Sequence, residues 1–144
     1  MRLTIRTSLA MRALMFCAVN DGRTVRRQEV AEATGASENH LAQVIHLLAQ
    51  KKFLHTVRGR TGGLTLARPA SMITVGEVFR AFEKVIPFAE CFKGGPPDCP
   101  LAEGCRLNCV MAEALDAFYA RLDKTTVADL ITENATLDRI LRVA

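Results

Sequence analysis

No apolar run in this chain is long enough to cross a bilayer. Its longest blocks, such as ALMF at 13–16 and VIHLLA at 44–49, fall far short of the ~20 residues a spanning helix needs. The opening MRLTIRTSLAMRAL also lacks the continuous apolar block of a signal peptide, because arginines alternate with its apolar residues. The expected location is therefore cytoplasmic, with no membrane partner, where thiols stay reduced. Also missing are paired carboxylates or a Ser/His/Asp set that would mark an active site, so the chain does not read as an enzyme. No internal repeat or low-complexity segment is present. One long stretch lacks negative charge altogether. From Asn39 to Gly76 there is no acid, while the same span holds Lys51, Lys52, Arg58, Arg60, Arg68 and all three histidines. Residues 1–76 contain 11 Lys+Arg against 4 Asp+Glu, whereas residues 77–144 contain 8 against 11. An uneven balance of this kind is the electrostatic footprint of a nucleic-acid-binding surface, or of a solvated basic face.

What the chain does contain favours the first reading. Its 144 residues, 49% of them hydrophobic, suffice for one domain with a real core and no need of disulfides. TSLAMRALMFCAVNDG predicts an amphipathic helix with Leu9, Met11, Leu14, Met15 and Ala18 on its apolar face. Thr7 or Ser8 would cap its start, and Asn20-Asp21-Gly22 its end. RRQEVAEATG predicts a short second helix stopped by Gly35. ASENHLAQVIHLLAQKKF predicts a third, capped by Ser37 and burying Leu41, Val44, Ile45 and Leu48. Two helices joined by a glycine-containing turn form a helix-turn-helix, whose second helix enters the major groove. FLHTVRGRTGGLTLARP then reads as two short strands around a glycine-rich basic turn, the shape of a wing. The candidate DNA-binding residues are Arg27 and Gln28 on the second helix, Ser37, Asn39, His40 and Gln43 on the third, and Arg58, Gly59, Arg60 and Thr61 in the wing.

Past Pro69 the pattern changes. TVGEVFRAFE opens with a capping box of Thr74 and Glu77. RLNCVMAEALDAFYARLDK is a long helix with Leu107, Met111, Leu115, Phe118 and Leu122 at helical spacing, widened by Val110, Ala114, Ala117 and Ala120. So wide an apolar arc suits a dimerisation helix, with packing inside one chain as the alternative. A symmetric dimer would set two recognition helices on a palindromic operator. TTVADLI starts a last short helix capped by Thr126, with Asp129 in the box position. The expected fold is thus mainly α with a small β-hairpin wing, a winged helix-turn-helix plus a long dimerisation helix. Residues 1–70 would form the DNA-binding region, and 71–144 a cysteine loop with dimerisation helices, within one compact domain.

Between the last two long helices lies ECFKGGPPDCPLAEGCRLNC, with Cys91, Cys99, Cys105 and Cys109. Cys17, alone on the apolar first helix, is assigned to the core. The other four sit among Gly, Pro, Lys, Asp and Glu, where little apolar burial is available. Zinc favours close cysteine pairs; only Cys105 and Cys109 approach that, and no histidine lies in this half. An iron–sulfur cluster accepts wider, loop-borne thiolate spacing. A thioredoxin-like dithiol lacks its Cys-x-x-Cys. Zinc in a DNA-binding protein without a sensing role stays open beside the cluster.

MRLTIRTSLAMRAL, EVAEATGASENHL, VRGRTGGLTLARPASMITVGEV, the cysteine stretch and FYARLDKTTVADLI together resemble the winged-helix iron–sulfur transcriptional repressors that include NsrR, IscR and RirA. ECF with CPLAEGCRL, and NHLAQVIHLL, look closest to the nitric-oxide-sensing NsrR branch. RirA, the iron-responsive branch, is the runner-up. IscR fits less well, having a histidine where this chain has Asn108. The resemblance implies that Cys91, Cys99 and Cys105 hold a 4Fe–4S cluster, or a 2Fe–2S form. It also implies that the holo homodimer represses from double-stranded DNA and that nitric oxide, acting on the cluster, releases it. In some NsrR proteins an acidic residue from the partner subunit is thought to complete the ligand set. Ser8 stands at that position here, so the candidates for the fourth ligand are Cys109 and Ser8 of the partner subunit.

Overall fold

Thr4 opens the first helix: its extended backbone leaves the ladder and its hydroxyl accepts the Thr7 N–H. The helix α1 (Ile5–Val19) therefore starts earlier than a cap at Thr7 or Ser8 would allow, and Thr7 lies buried inside it. The computed structural model describes residues 4–59, 62–83, 99–100 and 104–143. Arg60, Thr61 and Cys91, all singled out in the sequence, lie outside them.

In chain order, α1 is followed by α2 (Arg27–Thr34), α3 (Glu38–Gln50), β1 (Leu54–Val57), β2 (Gly63–Leu66), a single 3₁₀ turn (Ala70–Met72), α4 (Val75–Glu83), α5 (Arg106–Asp123), α6 (Val127–Ile131) and α7 (Ala135–Leu141). None of the described helices is long and apolar enough to cross a membrane. The expected amphipathic face of α1 proves too narrow. Ala10, Ala13, Phe16, Cys17 and Val19 are buried as well, because α1 packs against α2, α3, α4, α6, α7 and β2 and forms the central rod of the core. Burial pushes the Cys17 thiol up to about 12, so it is a core residue and no nucleophile.

Around this rod the strands pair antiparallel, Leu54 opposite Leu66 and Val57 opposite Gly63. Val25, just before α2, exchanges two backbone hydrogen bonds with Leu64 and anchors the hairpin. The Thr74/Glu77 and Thr126/Asp129 boxes both form, and the two helix starts are stitched together by a bridge between Thr74 and Thr126. The helix expected to be last, α6, is followed by α7, whose start is capped by the Asn134 side chain. Buried Asn20 ties this last helix down, donating to the Leu141 carbonyl at 2.8 Å and accepting the Val143 N–H at 3.0 Å.

Two contacts fix the segments that flank the cysteines. Arg80 of α4 forms a bidentate pair with Asp123 of α5, at 2.6 and 2.7 Å, with its guanidinium 4.5 Å over the Tyr119 ring. Gly76 permits this approach, since a Cβ there would meet the Asp123 carboxylate. At the far end of α4, Glu83 accepts from Thr4 N and Thr4 Oγ1, both at 2.9 Å, and from the Thr7 hydroxyl. Burial acts to raise the Glu83 pKa, but the hydrogen bonds from Thr7 and Thr4 outweigh it and hold the carboxyl below its ordinary value. A depressed folded-state pKa stabilises above the unfolded value, and that stability is lost as pH falls through the folded one. Glu83→Gln should therefore lower stability by about 1–2 kcal/mol at neutral pH. The gap from wild type should narrow on acidification, as read by thermal melts across the acid range. A gap independent of pH would show that ionised Glu83 does not hold this junction.

Candidate nucleic-acid interface and cysteine site

The turn between α2 and α3 is set by Gly35, whose φ of 63° is left-handed. It reverses the chain so that the Ala36 N–H reaches the Ala31 carbonyl at 3.0 Å. Leu41, Val44, Ile45 and Leu48 then turn inward against the core, as their spacing requires. The opposite face presents Asn39, His40, Gln43 and His46 to solvent, with Ser37 exposed at the cap. Ser37 makes no side-chain capping bond. His46 was not among the candidate DNA-binding residues. Its exposure excludes packing and adds it to this surface.

The remaining predicted contacts are partly engaged by the protein itself. Arg27 pairs with Glu38 at 3.4 Å, and Gln28 donates to Glu32 at 3.0 Å, both at the surface. An exposed pair of this kind is worth ~0–1 kcal/mol and yields readily to a phosphate. Arg68 belongs to the wing's supporting layer, lying 5.2 Å over the Phe53 ring and pairing with Glu77 at 3.2 Å. At the wing tip Arg58 and Gly59 are exposed. The charge offered by the described acid-free stretch therefore comes from Lys51, Lys52 and Arg58, with His40, His46 and His55 all exposed beside it. Arg6 was not singled out from the sequence. It reaches this surface because α1 packs on α3, and it donates to Gln43 at 3.4 Å. Arg58→Ala should weaken binding about equally on all DNA sequences and lower the salt slope by ~1 in a mobility-shift series. An unchanged salt slope would remove Arg58 from the interface.

Of the cysteines in the second half of the chain, Cys99, Cys105 and Cys109 lie among the described residues. Cys105 is the N-cap of α5, in extended backbone and half-buried, and it makes no side-chain cap bond. The helix begins at Arg106, so Cys105 lies just outside it and Cys109 one turn in; Cys99 and Cys109 are exposed. No acid occupies the first turn of α5. Among the described residues, no three His, Cys, Asp or Glu side chains come together as a metal site. The available donors are thus soft thiols, which suits an iron–sulfur cluster or zinc by chemistry.

The predicted stripe on α5 divides into two arcs. Phe118 lies 6.2 Å from the Phe79 ring of α4, and Leu122 packs on the core. Met111 and Leu115, on the same arc, are half-buried. Leu107 instead belongs to a neighbouring arc with Val110, Ala114 and Ala117, all exposed; Leu107 is 65% and Val110 59% accessible. Although α5 is 18 residues long, it buries no residue fully within one chain.

A helix-turn-helix with an open recognition face, followed by a hairpin wing, defines a winged-helix DNA-binding protein. The Rrf2 model, described as an iron-dependent transcriptional regulator, matches residues 3–133. The chain belongs to this family of transcriptional regulators, which are not enzymes. It is 41% identical to protein aau3 of Rhizobium meliloti (strain 1021), over 98% of this chain and 92% of that protein. It is 36% identical to the HTH-type transcriptional regulator NsrR of Geobacillus kaustophilus (strain HTA426), over 99% and 97%. The solved structure of T. potens IscR shares the fold, with a TM-score of 0.75 at 24% identity, covering 94% of this chain and 90% of that one.

Proposed function

We propose that the protein is a homodimeric repressor whose hold on a palindromic operator depends on a thiolate-bound iron–sulfur cluster and is released by nitric oxide. One observation carries this reading: α5 bears Cys105 and Cys109 at its N-terminus and an unburied apolar face along the same helix. Ligand and dimer contact thus share one rigid element. Likeness to an NsrR over the whole chain, and the resemblance of the cysteine stretch to the nitric-oxide-sensing branch, support this choice of signal.

Cys91, Cys99 and Cys105 would hold the cluster, 4Fe–4S in preference to 2Fe–2S, with Cys109 or Ser8 of the partner subunit as the fourth ligand. When bound, the cluster supplies iron that nitric oxide can attack. The chain's own residues transmit the consequence. Arg80–Asp123 holds α5 to α4 at one end, and the cysteine-bearing segment joins the same two helices at the other. Thiols released there leave α5 held by one end alone, and the angle between the two recognition helices changes. Residues 1–70 serve as the DNA-binding part and 71–144 as the sensing and dimerisation part, with α1 in contact with both.

The test is a mobility shift of anaerobically prepared protein on its operator, before and after exposure to nitric oxide. A loss of affinity of ~5–150-fold is expected, the usual range for coupling between sites. Unchanged affinity after nitric oxide would defeat this reading. The family's description as iron-dependent favours a second one, in which iron supply is the signal and chelation, not nitric oxide, releases the DNA.

A further inference from the structure

Arg6 is not part of the buried core. It is exposed, and its Nη2 donates to Gln43 Oε1 at 3.4 Å, although the two residues stand 37 apart in sequence. The turn that carries it is fixed on both sides. Thr4 bonds Glu83 through its N–H and its hydroxyl, and the Thr7 hydroxyl donates to the same carboxylate oxygen. The direction in which Arg6 leaves α1 is thus set by backbone locked to α4. Gln43 has one acceptor end and one donor end on its amide. A guanidinium on one side selects the acceptor end.

We propose that Arg6 is a specificity-determining residue for DNA reading: it draws Gln43 Oε1 back toward α1 and turns Nε2 out to the groove. The inference rests on the reading of Gln43 as a base-contacting residue. An outward Nε2 offers donors only. It suits an acceptor edge in the major groove, guanine O6 and N7 foremost, over the donor–acceptor pair that adenine requires. A free glutamine amide, with one donor and one acceptor to offer, would match adenine. Arg6 removes that freedom.

The experiment selects duplex sites from a randomised DNA pool with wild type, Arg6→Ala, Arg6→Lys and Gln43→Ala. Both side chains are exposed, so none of the variants disturbs the core. Wild type should prefer guanine at one base pair of each half-site. Arg6→Ala and Gln43→Ala should relax the preference at that same base pair by roughly five- to tenfold. Arg6→Lys should restore it only in part, because an ammonium lacks the planar fork. A uniform loss across the pool in Arg6→Ala, with the preference at the Gln43 position intact, overturns the inference and makes Arg6 a phosphate contact. Relaxation at a different base pair overturns it too. A Gln43→Ala variant that keeps every wild-type preference overturns the underlying reading instead, and that failure is seen in its own arm.

Discussion

Val110→Asp should convert the protein from dimer to monomer and remove tight operator binding. Val110 is 59% accessible in the single chain, on an arc of α5 shared with exposed Leu107, Ala114 and Ala117. A carboxylate there meets water in an isolated chain and costs the fold little. In a two-fold contact along α5 it would lie against apolar side chains of the partner and bury a charge without a counter-ion, a penalty of at least several kcal/mol. Operator affinity should fall with it. Two linked recognition helices gain on the order of 10²–10⁴ over one through effective concentration. Size-exclusion chromatography with light scattering reads the first effect and a mobility shift the second. A variant eluting as a dimer, with wild-type DNA affinity, would place the dimer contact elsewhere.

The second large effect is expected at the cysteines. Cys91→Ala, Cys99→Ala and Cys105→Ala should each lose the cluster on anaerobic reconstitution, and operator affinity with it. Cys105→Ala is the most informative of these, because Cys105 caps α5 without a side-chain hydrogen bond and is only half-buried. Compared without the cluster, the variant and wild type should have nearly the same melting temperature, so a lost cluster would report ligation and not unfolding. Cys109→Ala decides the fourth ligand. Loss or alteration of the cluster spectrum assigns it to Cys109, and an unchanged 4Fe–4S spectrum leaves the position to another group such as Ser8 of the partner subunit. Retention of an intact cluster by Cys105→Ala would contradict the ligand assignment.

Local chemistry made much of this fold legible. The buried face of α3, the left-handed Gly35, the hairpin and the two capping boxes all follow from residues within a few positions of one another, and periodicity or turn preference reports them directly. What escaped notice was non-local. Thr7 resembled a cap because it stands before an apolar run. Its hydroxyl instead serves Glu83, 76 residues away, and Thr4 starts the helix. The burial of α1 beyond one face depends on six other elements packing against it, which no helical wheel reveals. The stripe on α5 was visible, but its division into an arc facing α4 and a free arc depends on where Phe79 and the Arg80–Asp123 pair hold the helix. In the same way, Arg6 reaches Gln43 only because α1 and α3 pack side by side.

The central claim is that this winged-helix regulator carries an iron–sulfur cluster on its thiols, and one preparation tests it most directly. The full chain is purified anaerobically, its visible absorption recorded, and its iron, acid-labile sulfide and zinc measured. Brown protein with broad visible absorption, and iron and sulfide in equal amounts, is the predicted result. Colourless protein containing zinc and no sulfide would contradict it, and would make the cysteines a structural metal site in a DNA-binding protein that senses nothing through iron.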